Sequence, residues 1–171
     1  MTPIYSKLVG KADPKNIDWT VDCDKALLAV KKEISAPPVL KIPNINAQFF
    51  IQVDASGTGL GAAMLQEVNN MLHPCLYVSR KLTETERRYA VIERECLAIF
   101  WAVHRLSRYL LGNRFILQTD HQPLKFLLQG KPMNPRLFRW TLSLQQFDFE
   151  IQYIAGSENV LADYLSRQYE D

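Results

Sequence analysis

Asp54, Glu95, Asp120 and Asp163 are four carboxylates in four separate segments, each set where a fold gains little from a charge. Asp54 ends the strand-like run Phe49-Phe50-Ile51-Gln52-Val53-Asp54, and Asp120 ends Phe115-Ile116-Leu117-Gln118-Thr119-Asp120. Glu95 lies inside the apolar helical stretch from Tyr89 to Leu111, and Asp163 closes Asn159-Val160-Leu161-Ala162-Asp163. A buried carboxylate without a partner is costly. Four of them brought together make an all-oxygen site for hard divalent cations. The chemistry this set points to is that of a metal-dependent nuclease.

Taken singly, each acid has a plainer reading. Asp54 and Asp120 are strand-end residues of the kind that serve turns and caps. Asp163 can pair with Arg167 one helical turn on. Glu95 can sit in a buried ion pair. Projected at about 100° per residue, Glu95 shares a face with Val91, Ile92, Ala98, Ile99, Ala102 and Leu106, while Arg87, Arg94, Arg105 and Arg108 lie opposite. That face must press on a sheet. Glu93 falls nearer the border and reads as a rim carboxylate. The joint occurrence on one strand, one long helix, a second strand and a last helix favours a common site.

The elements that must carry these residues follow from periodicity. Phe49, Ile51 and Val53 alternate with Phe50, Gln52 and Asp54, a strand pattern. Ser56-Gly57-Thr58-Gly59 turns into a second strand, Leu60 to Val68, and Asn69-Asn70 turns into a third, Met71 to Ser79. Thr83-Glu84-Thr85-Glu86 is a capping box opening a long helix that ends near Gly112. A fourth strand, Arg114 to Thr119, precedes a short helix at Pro123 to Leu128 and the Gly130-Lys131-Pro132 loop. Asn134-Pro135 starts another helix, Phe149 to Ile154 is a fifth strand, and a terminal helix runs to about Arg167. The order βββαβααβα predicts an α/β layer with a mixed sheet. Upstream, Ala26, Leu27, Val30 and Ile34 predict a helix over Val21 to Ser35, with Thr20 or Asp22 as its cap and Ala36-Pro37-Pro38 as its stop. One helix cannot bury its own apolar face, so residues 1–45 read as the end of an upstream domain or a strap on residues 46–171.

Composition is permissive. The 171 residues are 47% hydrophobic and 22% charged, with a formal net charge of +2. That accommodates a full core and is only mildly basic, so charge alone does not announce a nucleic-acid binder. Cys23, Cys75 and Cys96 have no zinc spacing and read as reduced core thiols. No run is long and apolar enough to span a bilayer, and no targeting signal is visible, so no membrane partner is expected.

Five motifs then resemble one family. They are Val53-Asp54-Ala55-Ser56-Gly57-Thr58-Gly59-Leu60-Gly61-Ala62, Tyr77-Val78-Ser79-Arg80-Lys81-Leu82, Glu95-Cys96-Leu97-Ala98-Ile99, Thr119-Asp120-His121-Gln122-Pro123-Leu124 and Asn159-Val160-Leu161-Ala162-Asp163. In this order, through residues 46–167, they resemble the ribonuclease H domain of reverse transcriptases from Ty3/gypsy-type LTR retrotransposons. Asn134-Pro135-Arg136 with Arg139-Trp140 resembles its usual connection. Residues 1–45, with Trp19 and Ala36-Pro37-Pro38-Val39-Leu40, resemble the tail of the polymerase thumb or connection.

The resemblance implies a ribonuclease H-like fold, a five-stranded mixed sheet flanked by helices. It implies that Asp54, Glu95, Asp120 and Asp163 are both the catalytic residues and the ligands of two Mg²⁺ ions, with Mn²⁺ able to substitute. Asp54 would bridge the ions, Glu95 and Asp120 would serve one, and Asp163 the other. The substrate implied is the RNA strand of an RNA/DNA hybrid, cut during reverse transcription in a cytoplasmic virus-like particle. The attached polymerase domain, as a single chain or as a dimer, would be the partner. Ala55, Ser56 and Gly57 are expected to approach the hybrid backbone, with Gln122, Lys125, Arg136 and Arg139 adding phosphate contacts. The wider family often has a histidine before the last aspartate; Glu150 to Asp163 holds none, and Tyr153 is the matching accessory candidate, beside His121. A net charge of +2 releases few counterions, so weak hybrid binding by this chain alone is expected. Two other functions fit the pattern: a catalytically silent, domesticated or structural domain acting in assembly or nucleic-acid binding, and an integrase or junction nuclease of the same fold. Leu165-Ser166-Arg167 after Asp163 favours ribonuclease H over the latter.

Overall fold

The computed structural model describes residues 20–35, 40–121 and 134–169, and the chain groups into two compact units, Met1–Val39 and Leu40–Asp171. In the first unit the described element is α1 (Val21–Ser35), where the apolar spacing predicts it. Asp22 and Asp24 occupy its first turn, favourable beside the helix N-terminus. Thr20 starts the helix through its carbonyl, which accepts from the amides of Cys23 and Asp24. Its hydroxyl lies 3.4 Å from Cys23 Sγ. The Ala36-Pro37-Pro38 stop lies outside the described residues.

The second unit contains β1 (Phe49–Ala55), β2 (Gly59–Val68), β3 (Met71–Lys81), α2 (Glu84–Arg87), α3 (Val91–Arg105), α4 (Ser107–Leu110), β4 (Phe115–Thr119), α5 (Pro135–Leu144), β5 (Phe149–Tyr153) and α6 (Val160–Ser166). The strands form one five-stranded sheet in the order β3-β2-β1-β4-β5. β1, β2 and β3 are antiparallel neighbours, while β4 runs parallel to both β1 and β5. This is the mixed sheet that the sequence predicts; the short helix expected at Pro123 to Leu128 lies outside the described residues.

Local chemistry explains the connections. Asn69 and Asn70 adopt φ of 53° and 61°, the left-handed pair that lets a two-residue turn match strand twist. β3 is an outer strand, which tolerates Pro74 without a donor, and the register skips beside it, between Met64 and Leu65 on β2. The segment ahead of β1 is tied to this hairpin. Gln66 grips Asn44 from both sides, at 2.8 and 2.7 Å, and the Lys41 amide donates to the Pro74 carbonyl.

The single long helix expected from Thr83 to Gly112 is divided into α2, α3 and α4. The Thr83–Glu86 capping box forms but serves only α2. Glu86 also receives both guanidinium nitrogens of Arg80, at 2.7 and 2.9 Å, which fastens that turn to β3. Ala90 then takes extended backbone (φ −58°, ψ 153°), and its amide donates to the Glu93 carboxylate at 3.1 Å, starting α3 afresh. Val91 therefore stands on the first turn, 55% exposed, not on the buried face where an unbroken helix would put it.

The sheet is covered on both faces. On one, Phe49, Ile51, Val53, Phe115 and Leu117 meet Cys96, Ile99 and Ala102 of α3 and Leu137 and Leu144 of α5. On the other, α6 lies across β2 and β1. Gly61 makes that approach possible, because a Cβ there would collide with the Ala162 carbonyl and come within 2.5 Å of the Ser166 amide nitrogen. No helix among the described residues is long and apolar enough to cross a membrane.

Candidate active site

Asp54 is the next-to-last residue of β1, and Asp120 follows the last residue of β4. Because these strands are parallel neighbours, their carboxyl ends lie side by side, where open α/β sheets hold ligands. α3 brings Glu95 from one face and α6 brings Asp163 from the other. Asp54 and Glu95 are only 6% and 7% exposed; Asp120 and Asp163 are half-buried.

The four charges act on one another. Burial is the main force raising the Asp54 carboxyl above its usual range; the Ser166 hydroxyl opposes it, Asp120 and Asp163 add to it, and Arg167 opposes it. Glu95 is pushed up to about 8, first by burial and then by Asp54 and Asp120, against a smaller opposing pull from Arg94. Glu95 Oε2 is buried with no hydrogen-bond partner. A donorless buried oxygen that feels the carboxylates of Asp54 and Asp120 has the chemistry to meet a hard cation. The buried ion pair weighed for Glu95 is not found among the described residues.

Two of the four are turned toward protein donors. Ser166 Oγ donates to Asp54 Oδ2 at 2.5 Å. Arg167 Nε donates to Asp163 Oδ1 at 2.6 Å, the helical pair anticipated as the plain role of Asp163. No three Asp, Glu, His or Cys side chains among the described residues are gathered to hold one metal ion. Asp120 faces the loop after β5, where a Cβ at Gly156 would stand 3.2 Å from its Oδ2.

The remaining candidates scatter. Ala55 packs beside Leu60, Leu82 and Leu97. Ser56 is buried in its own turn, receiving the Thr58 and Gly59 amides and donating to the Ser166 carbonyl at 2.8 Å. Gly57 is open, with nothing within 4 Å of where a Cβ would be. Arg136 stacks on the Tyr89 ring at 3.8 Å and donates to Glu93 at 3.0 Å, so its guanidinium is already engaged. Arg139 is exposed and lines a recess with Glu93, Asn134 and Pro135. His121 is half-buried after Asp120, its amide donating to Thr119 Oγ1. Tyr153 ends β5 opposite Thr119 and is 53% exposed. Gln122 and Lys125 lie outside the described residues.

Sequence reasoning missed the residues that hold the acids. Ser166 is fully buried and touches Asp54; its spacing three residues after Asp163 is the signal that could have found it. Asn159, also fully buried, donates from Nδ2 to the Val53 carbonyl at 2.9 Å, joining the start of α6 to β1 beside Asp54.

The raised Glu95 carboxyl sets a pH dependence. The folded chain holds this proton up to about 8, whereas a free glutamate loses it near 4.5. Between those values the folded state binds more protons, so stability falls as pH rises through the window. With EDTA present, thermal melts should therefore decline from pH 5 to pH 8, and Glu95→Gln should flatten the decline. A parent profile that rises over this range would refute the assignment.

Solved structures share this architecture. LC11-RNase H1 in complex with an RNA/DNA hybrid matches with a TM-score of 0.55 at 16% identity, over 70% of this chain and 93% of that one. A foamy viral protease-reverse transcriptase in complex with an RNA/DNA hybrid matches at 0.58 and 19%, over 90% and 21%. The fold is therefore that of ribonuclease H. Residues 44–147 match the RNase H-like domain found in reverse transcriptase. The Pol polyprotein of transposon 412 of Drosophila melanogaster is 34% identical over 165 residues, 95% of this chain and 13% of its own length. That of transposon gypsy, from the same fly, is 40% identical over 131 residues, 76% and 12%. The chain belongs to the RNase H-like domains of reverse transcriptases from gypsy/Ty3-type retrotransposon Pol polyproteins. It spans about an eighth of the length of these relatives.

Proposed function

We propose that this domain hydrolyses the RNA strand of RNA/DNA hybrids, with Asp54, Glu95, Asp120 and Asp163 holding two Mg²⁺ ions. The observation that carries this is the buried, donorless Glu95 oxygen beside Asp54 and Asp120 at the carboxyl ends of β1 and β4. When bound, the ions supply an activated water and neutralise charge on the leaving oxygen. The residues do the rest. Asp54, fixed by Ser166, presents its second oxygen to the site. The Ala55-Ser56-Gly57 turn beside it leaves open space at Gly57 for a sugar-phosphate backbone, and Arg139 offers a phosphate contact. Tyr153 and His121 flank Asp120 as accessory groups, and Gln122 and Lys125 as hybrid contacts. Residues 1–45 are the tail of the polymerase thumb or connection; the polymerase supplies most of the affinity for hybrid through effective concentration. The setting is a cytoplasmic virus-like particle.

The Asp163–Arg167 pair is the observation favouring a second reading, a silent assembly domain. A hybrid labelled on each strand separates them. With Mg²⁺ the RNA strand should be cut and the DNA strand left intact, and EDTA should stop it. An uncut RNA strand would leave the silent reading.

A further inference from the structure

Arg167 caps the C-terminal end of α6, one residue after Ser166, and its charge is felt at two of the four acids. It donates from Nε to Asp163 Oδ1, and it opposes the neighbouring carboxylates at Asp54. The pair is half open to solvent, with side chains 54% and 43% exposed, so it exchanges partners at little cost. Its i,i+4 geometry, acid before base, and the pull of a helix C-terminus for a cation both hold it in place without burying it. Arg167 thus stands where a positive charge is wanted, on the one quartet member that is mostly turned to a protein cation. Resting on the reading above, we propose that Arg167 is a built-in counter-ion of the quartet, which a divalent cation must displace from Asp163 before the site can fill.

The geometry is specific. Ser166 holds Asp54 from inside the fold and Arg167 holds Asp163 from the solvent side, so only the second hold can swing away without disturbing α6. A guanidinium released from Asp163 has a planar fork suited to a backbone phosphate. Metal loading and phosphate contact would then be linked through one side chain.

The test is Mn²⁺ titration of the nucleic-acid-free chain, followed by electron paramagnetic resonance. Arg167→Gln should bind Mn²⁺ about two- to fivefold more tightly than the parent, the range expected for releasing an exposed pair. Arg94→Gln is the comparator, since Arg94 is felt at Glu95 without holding Asp163; it should tighten binding less. Equal or weaker binding by Arg167→Gln overturns the proposal, as does an equal effect of Arg94→Gln, which would mean diffuse charge alone. Hybrid cleavage with Mg²⁺ on the same preparations keeps the two readings apart. Cleavage by the parent with no tightening in Arg167→Gln removes only the Arg167 inference, whereas no cleavage by the parent removes the proposed function beneath it.

Discussion

Asp54→Asn should lower hybrid cleavage by about three decades or more while the fold stays at least as stable near neutral pH. The rate effect follows from the central place of Asp54, which feels Asp120 and Asp163 and is itself felt by Glu95. In the proposed two-ion site, losing its charge would weaken the hold on both cations, and charge stabilisation by such ions is worth several kcal/mol, at roughly 1.4 kcal/mol per decade. The stability effect has the opposite sign. The asparagine keeps an oxygen for the Ser166 hydroxyl, now 2.5 Å from Asp54 Oδ2, and removes a buried charge that its neighbours repel. Single-turnover cleavage of labelled hybrid and a thermal melt of the same preparation check both halves. Parent-like cleavage would take Asp54 out of the chemistry. A large drop in melting temperature would make the Asp54–Ser166 bond a structural clasp instead.

What could be read in advance is what local pattern determines. Strand alternation put Asp54 on the face opposite Phe49, Ile51 and Val53, and helical periodicity put Glu95 on the sheet-facing side of its helix, where it is 7% exposed. The Asn69-Asn70 turn and the Asn134-Pro135 helix start needed no tertiary information, since each rests on backbone preferences of the residues themselves. The break between α2 and α3 was not legible for a physical reason. Thr83-Glu84-Thr85-Glu86 announces a helix start, but nothing local says that Glu86 also clamps Arg80 across the chain or that Glu93 will cap a second start.

Side-chain partners were the least legible part. Arg136 looked available for phosphate, yet its stacking on Tyr89 and its bond to Glu93 depend on α5 packing against α3, a contact set by the whole core. The same holds for Gln52, Gln118 and Gln152. These read as polar members of three strands, and only the parallel register of β1, β4 and β5 aligns them into a ladder of side-chain amide hydrogen bonds at 3.1 and 2.8 Å. Ser166 belongs here too. Its identity is in the sequence, but its role follows from where α6 crosses β1.

That crossing is the basis of the second large prediction, for Gly61→Ala. The added methyl would meet the Ala162 carbonyl, the Ser166 amide nitrogen at 2.5 Å and Leu165 Cβ at 2.8 Å, and two of those are backbone atoms that cannot rotate aside. α6 must therefore lift from β2. Overpacking of this kind costs about 1–3 kcal/mol, which lowers the melting temperature by several degrees in a chain of this size. The functional loss should be larger than that destabilisation explains. α6 carries Asp163, the Ser166 hold on Asp54 and, at its start, the Asn159 bond to Val53, so lifting it disturbs several supports at once. Cleavage measured well below the melting temperature, where the variant is fully folded, should still fall by tenfold or more. Gly57→Ala gives the comparison for stability, because a Cβ there meets nothing within 4 Å, and it should melt with the parent. A Gly61→Ala chain that melts with the parent and cleaves at its rate would mean that α6 can move without disturbing the acids. In that case the close approach at Gly61 would be packing alone.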